Sequence, residues 1–376
     1  MYKKITNLVF VLIFILTCTI PLLFSNLVQG TPSIAENRML HGIAKVFKWD
    51  GSFNKEVLNE FDGWIDDNIG FRSKIVEWNA KIQYYVFDRL THNSTMSIGP
   101  KGILNTGSEK EFMQYQHLDL KSEEELLAIA DSFQKVSNYL EENGIQYYYM
   151  PLYEKYSIYP EHMPKYIIQY GDVSRIDQIV DVLDTKTNIN IVLLKDKLIE
   201  AKKEYEPYCE YGDPGHWTQR GSYIGYCELM KLINQNGNNY PILQEEDFNI
   251  TITDQGANMF GDIHVPDYFE DFDIKEKYAV ESTEGKGIYE EDIKIRYLKN
   301  DKVGNKTRTL IIADSYIEMY LLDEFSETFH EVIWVHADKV EAFKEYVEYF
   351  QPDIVIHENA ECTERYGMII EMSKTL

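Results

Sequence analysis

The chain opens on an apolar run that stays free of acidic residues from Ile5 until Glu36. Its densest part, Leu8 to Phe24, is about the length that spans a bilayer and exceeds the ~7–15 residues of a signal-peptide core. Lys3 and Lys4 ahead of it place the N-terminus in the cytoplasm and everything after residue 30 outside. Val28-Gln29-Gly30 is only a weak cleavage site, so the reading is an uncleaved single-pass anchor over residues 1–30 rather than a removed signal peptide.

Residues 31–110 form a lead segment, expected to pack on the domain that follows. It has an amphipathic helix onset around Phe61 to Arg72 and a turn at Gly99-Pro100-Lys101-Gly102. Beyond residue 110 the period alternates. Ser122 and Glu125 make a capping box, Leu126, Ile129, Ala130, Phe133 and Leu140 recur at helical spacing, and Gly144 supplies the stop. Ile145–Met150 then reads as a strand closed by Pro151, Ile176–Leu183 as a helix and Ile189–Leu194 as a strand. A helix follows at Leu198–Tyr205, and Thr218 caps another. Strands are expected at Phe248–Ile252, Thr309–Ile312, Val332–Val335 and Ile354–Ile356, with helices at Ile317–Phe325 and Lys339–Phe350. Continuous apolar strands alternating with helices predict an α/β domain over 111–376 with a mainly parallel sheet covered on both faces. Residues 267–305 are acidic, poor in apolar side chains and expected to be an inserted loop region.

Charge narrows the function. Sixty-two acidic residues against 37 Lys and Arg give a net charge of −25. That excludes nucleic acid as a partner and disfavours docking on anionic lipid headgroups. Four cysteines do not build a disulfide framework in a chain of 376 residues. His330, His336 and His357 lack metal-ligand spacing and there is no glycine-rich phosphate loop, so neither a metal nor an organic cofactor is expected.

The candidate chemistry lies in Asp213-Pro214-Gly215-His216-Trp217. An Asp a few residues before a His can fix its tautomer and stabilise its cation from one rigid turn, making the imidazole a general base. The nucleophile would be Ser315, at the end of the Leu310-Ile311-Ile312-Ala313 strand, where open α/β sheets bind ligands. Trp217 and Tyr316 flank these residues and are candidate substrate contacts. The plainer alternatives are a turn with a surface histidine and a serine that only caps its helix.

These elements resemble the SGNH-hydrolase-like polysaccharide O-acetyltransferases of the alginate-acetylation type. The resemblance is carried by Glu36-Asn37-Arg38 with Leu40, Asp67 through Arg72, Ile98 to Gly102, Pro151 to Lys155 and Ile158 to Pro160. It continues through the Asp-His-Trp loop with Thr218 and Gly221, Ala313 to Tyr316, Pro352 to Val355 and Glu364-Arg365. It implies a three-layer sandwich in a permuted order, since the Asp-His element precedes the Ser element here. It also implies an acyl-enzyme mechanism with Ser315 as nucleophile, His216 as base and Asp213 orienting it. The acceptor would be an exported or cell-surface polysaccharide, and the acetyl donor a polytopic membrane-bound O-acyltransferase beside the anchor. Two departures stand out: Ala313 replaces the usual Gly, and the Asp-His loop has one extra residue. An esterase using water as acceptor, or a non-catalytic polysaccharide-binding protein on the same fold, are the alternatives.

Overall fold

The structure, a computed structural model, describes residues 2–25, 32–33, 38–87, 89–90, 96–259, 263–362 and 366–376. The chain divides into two compact units, one of residues 1–93 with 257–265 and one of residues 94–256 with 266–376.

The larger unit is built on a seven-stranded sheet. Its strands are β1 (Gln146–Leu152), β2 (Asn190–Ile191), β5 (Val280–Glu281), β6 (Ile295–Lys299), β7 (Arg308–Ala313), β8 (Glu331–His336) and β9 (Ile354–Ala360), while β3 (Phe248–Asp254) and β4 (Tyr268–Ile274) form a ribbon of their own. The sheet order is β5-β6-β8-β7-β9-β1-β2. The five strands from β8 to β2 run parallel, and β5 and β6 add an antiparallel edge. Alternate side chains of the central strands enter two separate cores. Ile311, Ile356, Met150 and Trp334 pack on one face, and Leu310, Ile312, Val355, Tyr149 and Ile333 on the other. Burial on both faces is why these strands read as unbroken apolar runs. The result is an α/β sandwich of three layers.

Helices supply the outer layers. One face is covered by α6 (Gln219–Gln235), α7 (Ser315–Tyr320) and α8 (Leu322–Thr328), through Tyr226, Leu229, Ile317 and Phe325. The other face carries α4 (Glu123–Glu142), α5 (Arg175–Lys186), α9 (Phe343–Phe350) and α10 (Tyr366–Thr375). The capping box at the start of α4 forms: Ser122 accepts from the Glu125 amide, and the Glu125 carboxylate from that of Ser122. Gly144 follows the helix at φ +73, the left-handed conformation that ends it.

Four expectations change. The strand at Phe248–Ile252 forms as β3 but pairs antiparallel with β4 instead of joining the parallel sheet. Its alternating Asn249, Thr251 and Thr253 suit a ribbon with one wet face. Residues 267–305 are not loop alone, since β4, β5 and β6 lie within them; at the antiparallel edge of the sheet Ile295 and Leu298 are enough to seat β6. The helix expected over Ile317–Phe325 breaks at Leu321 into α7 and α8. The strand expected at Ile189–Leu194 shrinks to the two residues of β2.

In the smaller unit α1 (Tyr2–Leu23) precedes α2 (Val57–Asn68) and α3 (Arg72–Phe87). Asp67, buried at the end of α2, accepts from the amide of His41 at 2.8 Å, sits 2.7 Å from its Nδ1 and lies 3.7 Å from Arg72. Among the described residues no helix is long and apolar enough to cross a membrane. The described side chains of α1 start at Ile5, so the anchor expected over residues 1–30 rests on the sequence run. Val28-Gln29-Gly30, Glu36-Asn37 and Glu364-Arg365 lie outside the described residues.

Candidate active site

The parallel sheet determines where a ligand can sit. From β7 the chain moves to β8 on one side, then crosses back to β9 on the other, which makes the carboxyl end of β7 a topological switch point. Ser315 is there, the first residue of α7 after Ala313 ends the strand. Asp314 holds the sharp turn. Its amide donates to Glu358 at 3.0 Å, while its carboxylate accepts from the amides of Tyr316 at 3.1 Å and Ala360 at 3.2 Å. Ala313 is fully buried in the core, so its methyl is accommodated within the strand rather than in the turn.

The histidine arrives from the loop before α6. Asp213 Oδ1 accepts from the amides of Gly215 at 2.8 Å and His216 at 2.7 Å, folding the four residues into a closed turn. The same carboxylate lies 3.1 Å from His216 Nδ1 through both oxygens. The far nitrogen, Nε2, lies 2.9 Å from Ser315 Oγ. With Nδ1–H donated to Asp213, Nε2 is the free lone pair facing the serine hydroxyl. Burial disfavours the imidazolium, but the hydrogen bond and charge of Asp213 outweigh it, with Glu154 and Asp314 adding to them, and the His216 pKa is raised. For Asp213 burial acts upward, and the hydrogen bonds and charge of His216 with the Gly215 amide still hold the carboxyl below its usual value.

The loop is pinned from behind. Lys155, buried, donates to the carbonyls of Glu210 at 3.1 Å and Leu104 at 2.6 Å. Burial lowers its pKa to about 8. Asp267 accepts from the amides of Tyr211 and Gly212 at 2.7 and 2.8 Å. Thr218 then caps α6, accepting from the Gly221 amide at 3.2 Å.

A cavity of about 370 Å³ opens over Ser315 and His216. Tyr316 lines it, with its ring 4.6 Å from that of His216 and its hydroxyl donating to the Gly215 carbonyl at 3.0 Å. It therefore steadies the histidine as well as walling the cavity. Trp217 does not reach the cavity: it is fully buried, and its Nε1 donates to the Tyr316 carbonyl at 3.3 Å. It braces the site from the core rather than lining the cavity, the anchoring role that stood beside the expected substrate contact. Asn359, another residue of β9, is likewise buried and accepts from Tyr149 at 2.8 Å. His336, the register partner of Ala313 at the end of β8, does line the cavity.

The sequence also missed an acidic wall. Glu154 lies two residues past the end of β1, is buried, and its Oε1 has no hydrogen-bond partner among the described residues. Burial, reinforced by Glu361 and Glu111, pushes its carboxyl up to about 8. Glu111, held by the hydroxyls of Thr106 and Ser108, and Cys362 complete this side. The rule that ligands sit at the carboxyl ends of parallel strands would have found Glu154 from its position after β1. The wall is close to the loop: a Cβ on Gly215 would come 2.9 Å from Glu154 Oε2.

A serine, a histidine and an aspartate are thus hydrogen-bonded in line at the carboxyl end of a mainly parallel sheet, an arrangement suited to acyl transfer. Within the chain, residues 109–267 match the family model described as an SGNH hydrolase-like domain of the acetyltransferase AlgX, a stretch that holds Asp213 and His216 and stops short of Ser315. No curated protein is similar enough to the chain to match it. Among solved structures it is similar to PatB1 of Bacillus cereus, at 14% identity and a TM-score of 0.54, over 74% of this chain and 99% of that one. PatB1 with a sulfonyl adduct matches at 14% identity and 0.52, over 67% and 94%. A DHHW family protein from Eubacterium siraeum matches at 13% identity and 0.51, over 74% and 96%. These likenesses show a shared fold.

Proposed function

We propose that the chain transfers acetyl groups to a hydroxyl of a polysaccharide through an acyl-enzyme on Ser315. The observation that carries this reading is the Asp213–His216–Ser315 line in a chain whose residues 109–267 match an acetyltransferase domain. His216 Nε2 takes the Ser315 proton as Oγ attacks the donor's acetyl carbonyl. The donor oxygen leaves with that proton, and the acetyl group stays on Oγ. His216 next takes a proton from the sugar hydroxyl, whose oxygen attacks the acetyl-serine; the proton returns to Ser315 as the ester is released.

The long apolar run at Leu8–Phe24 supports an anchored, extracytoplasmic placement, with a membrane-bound O-acyltransferase delivering the acetyl group. Protease protection in spheroplasts tests that placement: degradation of the chain from outside is expected, and full protection would refute it.

The reaction is tested with the full chain, an activated acetyl ester and oligosaccharide acceptors. Acetylated sugar should form faster than free acetate. Release of acetate alone would make the chain an esterase. Ser315→Ala should lose at least about 10³-fold in ester turnover and no longer be labelled by a sulfonyl fluoride. A wild-type chain that never takes the label would leave the non-catalytic binding protein as the better reading.

A further inference from the structure

A second cavity of about 600 Å³ lies at the other end of α7. Its walls come from the β3–β4 ribbon, the last turn of α7 and the start of α8. Two residues tie it to the reaction site. Tyr320 lines it with its ring 6.0 Å from that of His216, and Gln219, three residues after His216, lines it while accepting from the Phe272 amide. Along α7 the cavity begins at Glu318, about 4.5 Å of helix rise from Ser315.

Its chemistry is one-sided. Asp271, Asp273, Glu318, Asp323 and Glu324 line it against Lys277 and Arg296. Both bases are already engaged. Lys277 lies 3.1 Å from Asp323 and 3.4 Å from Asp273, and Arg296 makes a two-pronged pair with Glu281 at 2.7 and 2.9 Å. Asp271 meets no basic side chain among the described residues. Glu324 is 7% exposed, and its carboxyl group turns back to its own amide. Burial pushes that carboxyl up to about 8, so at neutral pH it can donate to a hydroxyl as well as accept. Asn249 and Thr251 add neutral hydrogen-bonding groups.

We infer that this groove is the acceptor subsite and that it takes a glycan carrying free amines and no acidic groups, an amine meeting Asp271 and hydroxyls meeting Glu324, Thr251 and Asn249. A uronate or phosphate polymer would face uncompensated carboxylates with no free base to receive it. The acceptor role rests on the acetyltransferase reading; the glycan class does not.

Calorimetric titration of the full chain in detergent tests the class, using tetramers of glucosamine, N-acetylglucosamine and mannuronate. The glucosamine tetramer should bind about fivefold more tightly than its N-acetylated form, the preference should shrink as salt rises, and the mannuronate should not bind. Asp271→Asn should remove most of the amine preference, and Asp271→Lys should turn it toward mannuronate. Equal affinity for the first two tetramers, or binding of mannuronate to the wild type, would overturn the inference. Ser315→Ala should bind as the wild type does, because binding does not depend on the acyl chemistry. Binding in the expected order without transfer to any glycan would refute the acetyltransferase reading alone. Transfer to a glycan that leaves Tyr320 and Asp271 unperturbed in NMR spectra would refute the groove alone.

Discussion

At the scale of single residues, the proposed mechanism turns on the state of His216. The imidazole works as a base only when neutral, and its pKa is raised because Asp213 holds the cation against the cost of burial. The acid limb of kcat/KM for acetyl ester turnover should therefore fall above the ordinary imidazole value of about 6.5. Asp213→Asn removes the charge and favours the wrong tautomer. Turnover should drop about 10³- to 10⁴-fold. The limb should also move to lower pH in whatever activity remains. A pH–rate profile of both proteins checks this, and an unmoved limb would show that Asp213 does not act on His216.

At the scale of elements, the turn from Asp213 to His216 couples the site to its acidic wall. Gly215→Ala places a methyl group 2.9 Å from Oε2 of the buried Glu154. If the turn shifts to relieve that contact, it carries His216 away from Ser315, and kcat/KM should fall about 10- to 100-fold with the fold intact. Unchanged turnover would mean the turn adapts freely. Ser122→Ala is the contrast: loss of the capping box of α4 should cost about 1 kcal/mol and about 2 °C in Tm, with turnover unchanged. Elements of this kind were legible in the sequence because their causes are local. The cap at Ser122, the stop at Gly144, the runs of β7, β8 and β9 and the Asp213–His216 turn each follow from neighbouring residues. The pairing of β3 with β4, the place of β6 at the sheet edge and the depth of Trp217 did not, since they depend on which remote strand or helix covers each face. Glu154 and His336 were hidden for the same reason: only the parallel register of β1, β9, β7 and β8 brings their ends together.

At the scale of the whole molecule, the unusual quantity is buried acid. Burial raises the carboxyl groups of Glu154 and Glu324 to about 8 and that of Glu361 to about 7. In the unfolded chain each would lose its proton near pH 4 to 5. The folded state therefore holds more protons than the unfolded state from there up to the raised values, and stability falls as pH rises through that window. His162 and His357 oppose this below about 6.5, because burial lowers their folded values to about 4 and about 3, so the unfolded chain binds the extra protons there. Above that pH the histidines are neutral in both states and the opposition ends. His216, with its raised pKa, then adds to the carboxyls. Between pH 6.5 and 8 all these groups act in one direction, and the net charge of −25 gives a further reason for the folded state to resist losing protons. Tm should decline steadily over that interval; above it Lys155 contributes with the opposite sign, while the thiols of Cys209, Cys227 and Cys362, raised by burial, continue the decline. Each proton corresponds to about 1.4 kcal/mol per pH unit. Glu154→Gln should flatten the decline by about one proton's worth, measured by denaturant titrations at several pH values. A wild-type stability that rises from pH 6.5 to 8 would mean that these carboxyls are ionised in the folded protein, and that the wall beside Ser315 is anionic rather than neutral when the enzyme turns over.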